Sequence, residues 1–319
     1  MDAPTVAVVW SLSFAWIAGR HLPPWFPVLL ALIVWTIYVG DRLLDARSGL
    51  RDPGRSRLRA RHHFHWRHRR IFVPMGALAA CCAAGLVLIL MPAVERLQYL
   101  ILAAVFLAYL GRIHLRHRPQ PFVWRVLTKE LLVGVLFTLG CAVPTLRLLP
   151  GLPGVDRGAV LSTIVFFALL AWLNCSAINA WEARIAWESR IAPESSLFAR
   201  VKITAWEGSE EKQFEWDGKE PAAQPAIRSL RWILPLKPKL GSPFGPACLL
   251  ASAGLLGAVS LPAADLRPAI LLLAGSLSAI LLAGLDCLRI RLTPIALRAM
   301  ADLVLLAPAL FIAVMQVAR

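Results

Sequence analysis

Two aspartates stand four residues apart in Asp41-Arg42-Leu43-Leu44-Asp45, where a long apolar run gives way to an arginine-dense stretch. Carboxylates at i and i+4 project from one face of a helix. Two hard oxygen ligands so placed suit a divalent cation that also contacts a substrate's phosphates. Ionisable groups at the edge of a bilayer are costly, which gives weight to a functional reading. Acidic side chains near a helix C-terminus also oppose its macrodipole. The plain alternative is that Asp41 and Asp45 pair with Arg42, Arg47 or Arg51 among lipid headgroups, and on these residues alone the two readings stand level.

A second polar constellation follows another apolar run, in Asn174-Cys175-Ser176-Ala177-Ile178-Asn179-Ala180-Trp181-Glu182. Asn179 and Glu182 are i and i+3, and Asn174 lies two turns back from Glu182 on a similar face. Embedded beside Phe166 to Leu173, such side chains should face a bundle interior or a wet cavity. Asn174 by itself suits an interhelical hydrogen bond, the use membrane helices make of asparagine. Asn179 and Glu182 match Asp41 and Asp45 in depth and lean towards ligand contact. Lys129, in Thr128-Lys129-Glu130, falls at the same membrane edge. It either snorkels to headgroups or points inward as a point charge on a phosphate, with Glu130 as its neighbouring partner.

The elements that must position these groups are apolar segments. Of the residues, 58% are hydrophobic and 17% charged, against about a quarter charged in an ordinary soluble domain. Segments near the ~20 residues that a hydrocarbon core requires recur at about 4–20, 25–45, 71–92, 95–113, 124–148, 158–182, 243–262, 267–288 and 297–318. The expectation is an all-α polytopic membrane protein, with about nine transmembrane helices in one bundle around a cytoplasm-facing cavity. The segments are solidly apolar rather than alternating, which argues against a β-barrel. No basic region precedes the first segment and no cleavage-site pattern follows it, so it reads as retained.

The formal charge of +15 is topological rather than a nucleic-acid signature. Of 34 lysines and arginines, all but Arg20, Arg96, Arg147, Arg157, Arg267 and Arg319 fall at or after the ends of segments two, four, six and eight. That alternation follows the positive-inside rule and places the N-terminus in the cytoplasm and the C-terminus outside a cell (inner) membrane. Anionic lipids or an anionic substrate are the partners this implies. The outer loops are short, and several carry proline or glycine, which implies antiparallel neighbours. The stretch 190–240 reads as a solvated cytoplasmic insert between helices six and seven. Segments two and six both end in acidic or amide residues before a basic loop, a weak internal echo of two halves sharing one cavity.

Three further groups read as structural. Cys81, Cys82, Cys141, Cys175, Cys248 and Cys287 lack metal-ligand spacing and suit free buried thiols. His62, His63, His65 and His68 stand among arginines that would repel a cation, so an interfacial headgroup role is favoured over a metal. Asp286 and Asp302 have Arg289 and Arg298 nearby and read as ion-paired helix ends.

The arrangement resembles the UbiA superfamily of intramembrane prenyltransferases, exemplified by 4-hydroxybenzoate polyprenyltransferase. The likeness rests on helix number and orientation, on Asp41 and Asp45, and on the run Lys129-Glu130-Leu131-Leu132-Val133-Gly134 through Gly140 to Pro144. It covers most of the chain, treated as a single domain over 1–319 apart from the insert. The resemblance implies Mg²⁺-dependent transfer of a prenyl group from a polyprenyl diphosphate to an aromatic or other hydrophobic acceptor. It casts Asp41, Asp45, Asn179 and Glu182 as metal ligands, and Arg112, Arg116, Asn174 and Asn179 as substrate contacts. Lys129, with Arg112 or Arg116, would stabilise the departing diphosphate. The family's first motif opens with Asn-Asp, which here falls on Ile37 and Tyr38, and its second usually offers two aspartates. A non-catalytic relative that binds a lipid or serves a membrane complex is the alternative reading.

Overall fold

A computed structural model of the chain describes residues 2–51, 64, 66–115, 129–191, 242–261 and 266–308. The described residues form nine α-helices and a short 3₁₀ turn, and no strand occurs among them. In chain order they are α1 (Asp2–Ile17), α2 (Trp25–Arg51), α3 (Arg69–Leu90), α4 (Ala93–Leu115), α5 (Lys129–Leu146), α6 (Gly154–Ile191), α7 (Phe244–Ser260), α8 (Leu266–Leu288) and α9 (Pro294–Val304). Each falls on one of the apolar segments of the sequence. Among the described residues, four helices contain stretches long and apolar enough to cross a membrane: Trp25–Arg47, Arg69–Leu90, Asp156–Ile185 and Leu266–Leu288. The chain divides into two compact units, Met1–Asn179 with Ser242–Arg319, and Ala180–Gly241. Of the 190–240 insert, all beyond Ile191 lies outside the described residues, as does the last part of the ninth segment.

Helix ends follow local chemistry rather than the hydrophobic boundary. α2 continues past the expected end at 45 to Arg51, because Arg, Leu and Ala are good helix formers. α6 likewise continues past the expected end at 182, to Ile191. At the start of α9, Thr293 Oγ1 accepts from Ala296 N at 3.2 Å with Pro294 in the first turn, an N-cap joined to the position where proline costs no hydrogen bond.

In the first unit, an aromatic cluster joins α1, α5 and α6. Trp10 meets Phe137 and Phe167 edge-on, with ring centroids 5.6 and 4.7 Å apart, and Phe14 stands 5.5 Å from Phe167. Trp10 Nε1 donates to Leu305 O at 2.9 Å, tying α1 to the chain just beyond α9. Where helices meet without a hydrophobic drive, small residues permit close approach. A β-carbon built on Gly134 of α5 would stand 2.7 Å from Trp172 N of α6. Gly254 of α7 and Gly275 of α8 both abut the Phe166 ring, within a seam that buries Ala247, Ala251, Ala274 and Ala279.

α2 packs on α3 around Leu29, Ala83 and Met91. α3 buries only Ala79 and Ala83 and exposes Leu78, Leu88 and Ile89. α4 exposes Val94, Leu97, Leu100, Ile101 and Leu107. An apolar surface this broad suits hydrocarbon rather than water.

Four of the arginines that break the sequence's charge alternation are tied into the turns between helices. Arg96 donates to Met91 O at 2.8 Å and to Leu88 O at 2.7 Å, which satisfies the orphan carbonyls at the end of α3 and favours its dipole. Arg157 donates to Leu152 O and Pro150 O, both at 2.6 Å. Arg147 pairs with Glu95 across α4 and α5. Arg267 reaches Trp16 O at 3.5 Å, beside Gly19, whose φ of +67° turns the chain after α1.

Candidate functional site

Asp41, Arg42 and Asp45 sit on two successive turns of α2, more than one turn before its end at Arg51. The macrodipole acts within the last turn, so it does not oppose these carboxylates as the shorter expected helix implied. Arg42 Nη1 stands 3.8 Å from Asp41 Oδ2 and 3.8 Å from Asp45 Oδ2. The guanidinium carbon lies 5.0 Å from the Tyr38 ring centroid. At 3.8 Å the guanidinium is an ion-pair neighbour of both carboxylates but lies beyond hydrogen-bond length. Its side chain is 13% exposed, and its Nε is buried with no hydrogen-bond partner among the described residues. A buried orphan donor on a cation is a feature that calls for an acceptor.

Asp41 and Asp45 are the carboxylates here that could hold a divalent cation. Mg²⁺ is ordinarily held by one or two carboxylates together with substrate phosphates, and Asp41 with Asp45 supplies that number. A two-ion centre needs more. Ile37 and Tyr38 occupy the positions where the resemblance expects an amide and a carboxylate. Among the described residues, no three His, Cys, Asp or Glu side chains converge on a common point.

At the start of α5 the structure makes a link that sequence spacing did not reveal. Asn179 Nδ2 donates to Glu130 Oε1 at 3.0 Å, joining α6 to α5. Glu130, expected as the partner of Lys129, is thus engaged by the amide expected as a metal and substrate ligand. Lys129 opens α5 and Arg112 lies in the last turns of α4; their side chains, and all of Arg116, lie outside the described residues. Glu182 is part-buried on α6, within the second unit.

Asn174 is 4% exposed and donates through Nδ2 to Asp302 Oδ1 at 3.5 Å, from α6 to α9. That is the interhelical use of asparagine, although its Oδ1 has no partner among the described residues. Asp286 is 3% exposed. It accepts from Ser242 Oγ at 2.5 Å and from Arg289 Nη1 at 2.8 Å. It thereby ties one end of α8 to the approach to α7 and to Arg289 one turn on.

His62, His63 and His65 lie outside the described residues, and His68 Nδ1 is 2.9 Å from Phe64 O. All six cysteines are free. Only Cys141 is fully buried, while Cys81, Cys82, Cys248 and Cys287 are exposed, contrary to the expectation of buried thiols. Their helices turn that face away from the bundle, and a small apolar side chain suits hydrocarbon there as well as a core.

No family model, no curated protein and no solved structure matches the chain.

Proposed function

We propose that the chain is an inner-membrane protein of nine spans, with a cytoplasmic N-terminus and an outward C-terminus, that transfers a prenyl group from a polyprenyl diphosphate to an aromatic or other hydrophobic acceptor. The observation that carries this reading is the Asp41–Arg42–Asp45 cluster on α2, where two carboxylates stand near a guanidinium whose buried Nε has no partner among the described residues, at the end of the apolar stretch of that helix. Few membrane structures need such a set for packing alone, since a single interfacial ion pair contributes little.

On this reading Asp41 and Asp45 would hold Mg²⁺, while Asn174 and Asn179 would line the substrate side. Bound Mg²⁺ would neutralise charge on the diphosphate and improve it as a leaving group. Heterolysis of the bond between the prenyl C1 and its diphosphate oxygen leaves the electron pair on the diphosphate and an allylic cation on the chain. A nucleophilic atom of the acceptor then bonds to C1, and the acceptor loses a proton. Lys129, with Arg112 or Arg116, would stabilise the developing negative charge, and the apolar helices would keep water from the cation.

A second reading, a non-catalytic relative that binds a diphosphate lipid or serves a membrane complex, is favoured by Ile37 and Tyr38 standing where further ligands are expected. The two readings part on covalent change. The test is geranylgeranyl diphosphate binding by the detergent-purified protein with and without Mg²⁺, compared with Asp45→Asn, followed by assay of diphosphate release with a panel of aromatic acceptors. Mg²⁺-dependent binding with release supports transfer. Binding without release to any acceptor supports the second reading. No binding defeats both.

A further inference from the structure

We propose that the start of α3 holds one anionic phospholipid of the bilayer, its phosphate between Arg67 and Arg70 and its acyl chains along the outward face of that helix. The inference goes beyond the function proposed above and holds whether or not the chain transfers a prenyl group. Arg67 and Arg70 are both exposed, and neither pairs with a carboxylate among the described residues. The first turn of α3 holds no acidic residue. The backbone keeps a helical course through His68, whose N donates to Phe64 O at 3.1 Å and whose O accepts from Phe72 N at 3.1 Å. Residues three apart on such a course are neighbours, so the two guanidinium groups can close on one phosphate. Arg69 between them is already engaged. It donates to Trp66 O at 3.2 Å, with its guanidinium carbon 4.8 Å from the Trp66 ring centroid.

The surroundings of this basic turn select the occupant. Phe64 and Trp66 precede it, with the Phe64 ring centroid 4.5 Å from that of His68, and tryptophan beside arginine marks the headgroup level of a bilayer. Beyond it Ile71, Met75 and Leu78 are exposed. They follow Arg67 at steps of four, four and three, which places them in one stripe along the helix. α3 buries only Ala79 and Ala83. Paired cations at headgroup height above an exposed apolar stripe complement a molecule with an anionic head and hydrocarbon tails. A soluble anion would use the arginines and leave the stripe bare. A second copy packed in parallel would set its own Arg67 and Arg70 against these, like charge against like. A zwitterionic lipid brings an ammonium group to the same cations, so the turn favours a headgroup with net negative charge.

The experiment is native mass spectrometry of the full chain in non-ionic detergent, titrated with dioleoyl phosphatidylglycerol or dioleoyl phosphatidylcholine. The two lipids share their tails, and single lipid molecules in detergent carry no leaflet potential. The chain should retain phosphatidylglycerol at least about tenfold more tightly than phosphatidylcholine. Arg67→Gln and Arg70→Gln should each weaken phosphatidylglycerol by about tenfold, the loss of a charge-assisted contact, and leave phosphatidylcholine unchanged. Arg291→Gln, at an exposed arginine beyond α8, should leave both affinities unchanged. Leu78→Asn should weaken both lipids alike. Equal retention of the two lipids, or an Arg291→Gln loss as large as that of Arg67→Gln, would overturn the inference. So would displacement of the lipid by millimolar inorganic phosphate, which would hand the arginines to a soluble anion. A dimer that Leu78→Asn dissociates without changing lipid retention would hand the stripe to a second copy. If the variants do not fold, a photoactivatable phosphatidylglycerol on the unmodified protein decides: labelling within 64–90 supports the site, and labelling only elsewhere overturns it.

Discussion

Asn179 Nδ2 donates to Glu130 Oε1 at 3.0 Å, so that the amide and the carboxylate joining α6 to α5 lie 49 positions apart in the chain. Asn179 is exposed and Glu130 part-buried, which keeps the bond near the modest end of the net range for a charged acceptor, about 1.5 kcal/mol. A double-mutant cycle over Asn179→Ala and Glu130→Ala, read from unfolding in detergent, should therefore give a coupling of about 1 kcal/mol. A coupling near zero would mean that the two side chains part in solution and that each is available to a ligand on its own.

The two aspartates of α2 should not behave as surface charges. Asp41→Asn and Asp45→Asn each leave Arg42 with one carboxylate and remove half of the oxygen set suited to one Mg²⁺. Each is expected to lower Mg²⁺-dependent geranylgeranyl diphosphate affinity by at least about tenfold, roughly 1.4 kcal/mol, with the melting temperature changed by only a few degrees. Equal affinity for the substituted and unmodified chains, measured by equilibrium binding at several Mg²⁺ concentrations, would remove the cluster from the ligand site.

How much of this was legible beforehand depends on distance along the chain. The nine helices of the described residues lie where the apolar runs are, because an unbroken apolar run is the sequence mark of a helix that could bury its backbone polar groups in hydrocarbon. Helix ends were less legible. α2 and α6 outlast their apolar stretches, and Arg47 and Arg51 read as loop when they are helix. The Asp41–Arg42–Asp45 contacts were within reach of spacing, since i, i+1 and i, i+4 neighbours are local. Glu130 with Asn179, Asn174 with Asp302 and Trp10 with Leu305 were not. Those pairs are set by which helices pack together, and a single sequence carries no signal for that.

Gly134 and Gly40 make a controlled contrast on that packing. A β-carbon on Gly134 would lie 2.7 Å from Trp172 N and 3.1 Å from Ala168 O, both backbone atoms that cannot swing aside. Gly134→Ala should therefore cost about 1–3 kcal/mol, the range of overpacking in a tight interior. Gly40, within α2, has nothing within 4 Å of its virtual β-carbon, so Gly40→Ala should be neutral or stabilise by up to about 1 kcal/mol through the helix preference of alanine. Unfolding of both variants by heat or denaturing detergent gives the sign. Equal effects would mean that the α5–α6 contact is looser than this geometry.

Orientation is open to a direct check because the sequence argument commits to sides. With the N-terminus in the cytoplasm, a reporter fused after Arg70 lies inside and one fused after Arg157 lies outside. An alkaline-phosphatase fusion, active only outside, should be inactive at the first site and active at the second, and a fluorescent-protein fusion should show the converse. The arginines of the even loops would then face anionic lipid and the diphosphate pool. Arg96, Arg147 and Arg157 would lie on the other side; Arg147 is paired with Glu95, while Arg96 and Arg157 donate to helix-end carbonyls and keep their charge. The reverse activity pattern would place Asp41 and Asp45 away from the cytoplasm. A soluble supply of prenyl diphosphate could not then reach them, and the transferase reading would fail on access before any question of chemistry arose.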